Sequence, residues 1–119
     1  MDIGGDKTQL LIKLMTATSM RDRWISNNIA NQSVPGYKRR DVHFEELLRD
    51  KLAHQDPNLL AVKPEVVVDT KSPAGADGNN VVLEVETTNS HENKLMFELY
   101  ATIFQSRMGL IESAIRESR

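Results

Sequence analysis

The residues able to do chemistry are few, and their spacing argues against a reaction. His43, His54 and His91 are the only imidazoles. No two of them stand at i, i+4, and none lies in a metal-type motif with carboxylates, so they read as solvated surface residues. Carboxylates pair at Glu45-Glu46 and at Glu84 with Glu86. General acid–base work needs such pairs, but helix solubility and charge at a chain end account for both. Gly4-Gly5 and Asp77-Gly78 lack the glycine spacing and the following Lys-Ser/Thr of a phosphate loop. There is no Gly-x-Ser-x-Gly elbow. With no cysteine, thiolate zinc sites, disulfides and cysteine nucleophiles drop out together. The sequence assigns no catalytic, cofactor-binding or metal residue, and the chain reads as a non-enzyme.

Two polar clusters remain. Tyr37-Lys38-Arg39-Arg40 is the one basic run, able to meet phosphate or an acidic partner. Beside a turn it reads as a solvated loop, and no nucleic-acid partner is assigned. The second cluster is Ser26-Asn27-Asn28-Ile29-Ala30-Asn31. Asparagine is a poor interior helix former, so Asn27, Asn28 and Asn31 need a reason. Simple fraying into a capped end is one. The other is that their amides bond backbone groups of the Ser33–Tyr37 turn, or of a neighbouring subunit, and fix a chain reversal. The stereotyped turn that follows favours the second.

Long helices position these clusters. Leu10, Leu14, Ala17, Met20 and Trp24 recur at three- and four-residue steps, widened by Leu11, Met15, Ile25 and Ile29. With Asp6 as N-cap, this predicts a helix to about Asn31, a rod of ~39 Å. Pro35 ends it, and Val34-Pro35-Gly36-Tyr37 matches a type II turn with glycine where φ must be positive. A shorter helix follows, capped by Asp41, with Phe44, Leu47, Leu48 and Leu52 on one side. Residues 55–80 hold Pro57, Pro64 and Pro73, the short run Val66-Val67-Val68 and the turn signal Asp77-Gly78-Asn79-Asn80. They read as loop with one or two short strands and no part in the core. Phe97, Tyr100, Phe104, Met108, Ile111 and Ile115 then mark a second long helix. It is secure from His91, with an earlier start near Val82 or Leu83 resisted by Thr87-Thr88-Asn89-Ser90.

The fold class expected is mainly α: two long terminal helices packed as an antiparallel coiled-coil hairpin, with a loop-rich middle holding a short helix and short strands. The 119 residues suit one unit, divided as 6–32, 33–80 and 81–118. The stripe Phe97–Ile115 is expected to face the first helix, with Leu99, Ile103, Leu110 and Ala114 on an adjoining stripe and Gly109 beside Leu110. Met15, Met20, Met96 and Met108 read as core filler. One seam cannot bury all this apolar surface, which argues for assembly with further helices, the terminal segments ordering fully only then.

A net charge of −2 is a poor match to wrapping nucleic acid. Apolar runs of three or four residues span no bilayer. The start Met1–Asp6 lacks the basic and apolar regions of a cleavable signal, so passage out of the cytoplasm would need another route.

The segment Ser26 to Tyr37 resembles the signature of the bacterial flagellar basal body rod and hook protein family, roughly Ala-Asn-Asn-Ile/Leu-Ala-Asn-x-x-Thr-Pro-Gly-Tyr, with Ser26 for Ala and Val34 for Thr. Asp77-Gly78-Asn79-Asn80-Val81, Leu83-Glu84 and Glu86 resemble the Asp-Gly-Asn-x-Val-Asp-x-Glu-x-Glu stretch of its proximal rod subunits. So do Glu92-Asn93-Lys94-Leu95 and Leu110–Ile115. A neighbouring rod subunit type shares the first motif but not this second start. The resemblance implies a structural subunit polymerising through its terminal helices into the periplasmic drive shaft, with no cofactor. It implies export by the flagellar type III apparatus without a cleaved signal. The implied partners are other rod subunits, copies of itself and adaptors on the MS-ring and export-gate side. It carries Asn27, Asn28, Asn31, Pro35, Gly36 and Tyr37 as signature residues; Leu10, Leu14, Trp24 and the Phe97–Ile115 stripe, marked by their spacing, are the expected assembly residues. The competing reading is a soluble helical adaptor or export chaperone acting as a small dimer.

Overall fold

Helix α1 runs Asp6–Ala30, with Gly5, not Asp6, at its N-cap and Asn31 at its C-cap. The structure is a computed structural model and describes residues 5–118. Met1–Gly4, on which the reading of the chain's start rests, lie outside the described residues. Strand β1 is Arg40–His43, helix α2 Glu45–Ala53, strand β2 Glu65–Val68 and helix α3 Leu83–Glu117. A single 3-10 turn, Leu59–Ala61, lies between α2 and β2.

The two long helices pack against each other and run antiparallel: Thr8 meets Arg107, Thr18 meets Asn93 and Asn28 meets Glu86. The molecule is mainly helical and elongated, 67 × 29 × 15 Å. Helix α3 takes the earlier of its two candidate starts. The hydroxyls of Thr87 and Thr88 are satisfied by the Leu83 and Glu84 carbonyls, and tertiary bonds from Asn28 and Arg39 to Glu86 hold this run of weak helix formers in the helix.

Three expectations about the middle are corrected. Asp41 does not cap α2; it sits in β1, which pairs antiparallel with β2 in the register Arg40↔Val68, Asp41↔Val67, Val42↔Val66 and His43↔Glu65. The helix begins only after Phe44, because Val42 and Phe44 alternate inward as a strand requires. Residues 55–80 do contribute to the core: Val62 is buried with Ala17, Phe44 and Leu48, and Leu59 packs on that cluster beside Leu10, Leu14 and Leu47. Small aliphatic positions among prolines gave no periodic signal, yet they close the open face of α1 and α2.

The C-terminal stripe is also corrected. Only Tyr100 is buried; Phe104, Met108 and Ile111 are half-buried, and Phe97 and Ile115 are exposed. Of the methionines read as core, Met96 is exposed. The seam positions nearest α1 are instead taken by Glu86, Asn93 and Tyr100.

Candidate functional site

The asparagines that close α1 bond mainly outside their own helix. Asn28 is fully buried. Its Nδ2 donates to the Arg40 carbonyl at 3.0 Å, and its Oδ1 accepts from the Arg40 N–H at 3.0 Å and the Tyr37 hydroxyl at 2.9 Å. The carboxamide thus pairs with β1 as a neighbouring peptide group would. Asn27 Nδ2 donates to the Tyr37 hydroxyl at 3.1 Å, and Asn31 Nδ2 donates to the Asn27 carbonyl at 2.7 Å. The principal backbone target is therefore Arg40, not the turn itself.

The turn has Gly36 at φ +75°, and the Tyr37 N–H donates to the Val34 carbonyl at 3.2 Å. Both features fit type II geometry. A second turn, at Asp77–Asn80, supports it. Gly36 N–H donates to the Asp77 carbonyl at 2.8 Å, and Asn79 Nδ2 donates to the carbonyls of Asn31 and Val34, each at 2.8 Å. Gly78, at φ +83°, lies so close that a Cβ on it would stand 3.3 Å from Gly36 Cα. The Asp77–Asn80 turn is legible in the sequence; its pairing with the first turn is not. Only the recurrence of asparagine in both segments hinted at the pairing.

The basic cluster is corrected outright. Its three cations point to three different places. Arg39 is buried; Arg40 stacks over Trp24, 5.1 Å from the ring centroid. Lys38 Nζ donates to the Gly78 carbonyl. Arg39 Nε donates to Glu86 at 2.6 Å, and its Nη1 to Asp41 at 2.7 Å and Asp69 at 2.9 Å. Glu86, read from sequence as end charge, is 0% exposed. Asn80 completes the clamp, accepting from the Arg39 N–H at 2.7 Å and donating to the Asp69 carbonyl at 2.8 Å.

Burial works against the Arg39 charge, but hydrogen bonds to Asp41, Glu86 and Asp69 overcome it and hold its pKa above the ordinary arginine value. The Ser72 hydroxyl does most to hold Asp69 well below the usual carboxyl range. Burial opposes this, and the Ser72 N–H, Arg39 and the Lys71 N–H add to it. A second arginine joins three elements: Arg21 reaches Glu45 at 2.7 Å, the Val42 carbonyl at 2.9 Å and Asn93 at 3.3 Å. Burial would raise the Glu45 pKa, yet the Arg21 hydrogen bond lowers it overall. Burial raises that of Tyr100, with Glu45 adding to the rise. Among the described residues no buried side-chain nitrogen or oxygen lacks a partner.

This arrangement holds a shape. Among the described residues there is no cluster of metal-ligating side chains, and no helix is long and apolar enough to cross a membrane.

The other candidate surface is the outer side of α3. Val85, Leu95, Leu99, Ile103 and Leu110 lie on one flank of it, spread from about a sixth of a turn to almost half a turn from the seam. All five are exposed, Leu95 by 65% and Leu110 by 72%. A Cβ at Gly109, next to them, would meet nothing within 4 Å. On α1, Leu10, Leu14 and Trp24 are half-buried: Leu10 and Leu14 pack into the chain's own core, and Trp24 lies under Arg40.

No protein-family model matches the chain. Among curated proteins it is similar to the flagellar basal body rod protein FlgB of Borrelia hermsii, 30% identical over 122 aligned positions that cover 87% of this chain and 90% of that protein. It is 28% identical to FlgB of Borreliella burgdorferi, covering 76% and 82% of the two chains. FlgB of Aquifex aeolicus is also 28% identical, covering 87% and 88%.

Proposed function

The chain belongs to the FlgB family of flagellar basal body rod proteins, and from that premise we propose that it builds the rod by laying the outer side of α3 against neighbouring subunits. Its role is structural and non-enzymatic, and its place is the basal body rod, assembled with other rod subunits. The observation that supports the α3 surface is the run Val85, Leu95, Leu99, Ile103 and Leu110, exposed on a helix whose seam side is already covered by α1. Fully burying each such side chain contributes ~1.5–3 kcal/mol, so a few neighbours sharing the stripe make a stiff shaft.

The Pro35-Gly36 turn and the asparagines Asn27, Asn28 and Asn31 set the angle at which the chain leaves α1. Copies of the same chain, other rod subunits and an adaptor on the MS-ring side are the partners this reading assigns. Export by the flagellar type III route and torque transmission across the periplasm complete it.

The test pairs Leu99→Asp with Leu110→Asp in one chain. Unchanged circular dichroism with loss of rods and motility is the expected result. Normal rods would remove the stripe from the interface. A cooperatively folded dimer of the native chain in sedimentation, closed over this stripe, would favour the chaperone reading instead.

A further inference from the structure

Every seventh residue of α3 from its second turn onward faces α1: Glu86, Asn93, Tyr100 and Arg107. Seven residues make nearly two turns, so the four stack in one row. The first three are buried and Arg107 is half-buried. Each rung is chemically different. Glu86 accepts from Asn28 at 3.4 Å and from Arg39 at 2.6 Å. Asn93 donates to the Thr18 carbonyl at 2.7 Å and accepts from Arg21 at 3.3 Å. Tyr100 supplies a ring, and Arg107 Nε donates to the Thr8 hydroxyl at 3.3 Å.

The apolar residues flanking this row repeat themselves. Phe97, Phe104 and Ile111 are seven apart, as are Met108 and Ile115. Such rows fit almost as well after α3 slides by one heptad. The polar row does not. One direction sets the Glu86 carboxylate against the Thr18 carbonyl, and the other puts the Arg107 guanidinium where the Tyr100 ring lies. Either leaves buried polar groups unpaired.

We propose that the row Glu86–Asn93–Tyr100–Arg107 specifies the axial register of α3 on α1, a non-repeating code beside repeating, partly covered apolar rows. The assignment concerns the chain's own pairing and stands apart from the rod reading. Its consequence for any assembly is direct, because a one-heptad slip moves the Leu95–Leu110 stripe ~10 Å along the axis.

Nitroxides on cysteines introduced at exposed Ser19 and Ser113 report the register by double electron–electron resonance. The full chain is usable as it stands, since it has no cysteine of its own. The native row should give one distance. Levelling it with Arg39→Met, Glu86→Leu, Asn93→Leu and Arg107→Leu together should add a population displaced by ~10 Å. Asn79→Ala, which loosens the adjoining turn and leaves the row intact, should keep the native distance alone. A single unshifted distance in the levelled, still helical chain overturns the proposal, as does a displaced population in Asn79→Ala. If the levelled chain loses its helical signal, Asn93→Leu decides. A displaced population there supports the proposal, and one unshifted distance overturns it.

Discussion

The two ends of the helical pair are built on opposite terms. Where α1 ends and α3 begins, Arg39, Glu86, Asp69, Asn28, Asn79 and Asn80 are bonded across five segments of chain. From Leu95 onward, α3 leaves Leu95, Phe97, Leu99, Ile103 and Leu110 exposed, and the only ion pair among the described residues there is the surface pair Glu112–Arg116. Directional bonds to buried groups fix one geometry and penalise all others. Apolar surface is non-directional and stores association energy until something covers it. A subunit that must present the same sticky face in every copy needs the first kind of contact to orient the second.

The largest effect should come from Arg39→Ala. It leaves Glu86 and Asp69 without their common cation, and breaking a buried pair from one side costs about 3–5 kcal/mol. Urea unfolding measures it, and Arg39→Met combined with Glu86→Leu should lose less than Arg39→Ala alone. A loss under 1 kcal/mol for Arg39→Ala would mean that the clamp is open to water.

Next in size are the two facing glycines, which separate strain from crowding. Gly78→Ala meets both a positive φ and Gly36 Cα at 3.3 Å, and should cost about 2 kcal/mol or more. Gly36→Ala meets strain alone, with nothing within 4 Å, and should cost about 1 kcal/mol. Equal losses in thermal unfolding would show that the two turns do not press on each other. Gly36→Val adds a β-branch at the same φ and should impair rod assembly as well as stability.

Acid should loosen the polar end first. Asp69 and Glu45 are held below their ordinary pKa values when folded, whereas unfolded they titrate near 3.9 and 4.3. The folded chain therefore binds fewer protons. Their stabilisation is complete above about pH 5 and drains away as pH falls through 4 toward the folded values. Amide exchange at Arg39–Val42 should accelerate over that range before exchange in the middle of α3 does. Uniform acceleration of both regions would contradict the contrast between them.

The smallest stability effects belong to the outer stripe. Leu99→Asp or Leu110→Asp should change unfolding by no more than about 0.5 kcal/mol, as exposed substitutions do. Gly109→Leu should be neutral or slightly stabilising, because leucine is the better helix former and the space is open. Rod formation should suffer in all three, so a large stability loss in any of them would place that residue in the fold instead of the interface.

The sequence by itself determined what depends on near neighbours. Three- and four-residue apolar steps set α1 and the body of α3, since a helix needs only its own backbone and one apolar side. Pro35 and Gly36 set the turn, since φ is restricted at proline and released at glycine. The signature asparagines and the Asp-Gly-Asn turn were visible as motifs, and with them the family. What only the tertiary structure decided is which polar groups are buried and against what. Glu86 looked like end charge and Arg39 like a solvated loop residue until 47 positions of chain brought them within 2.6 Å. Burial of a charge becomes tolerable only when its partner arrives, and no local pattern records that arrival. The same holds for Val62 and for Phe97. Periodicity says that a side chain belongs to an apolar row, but whether the row is covered depends on where the rest of the chain lies.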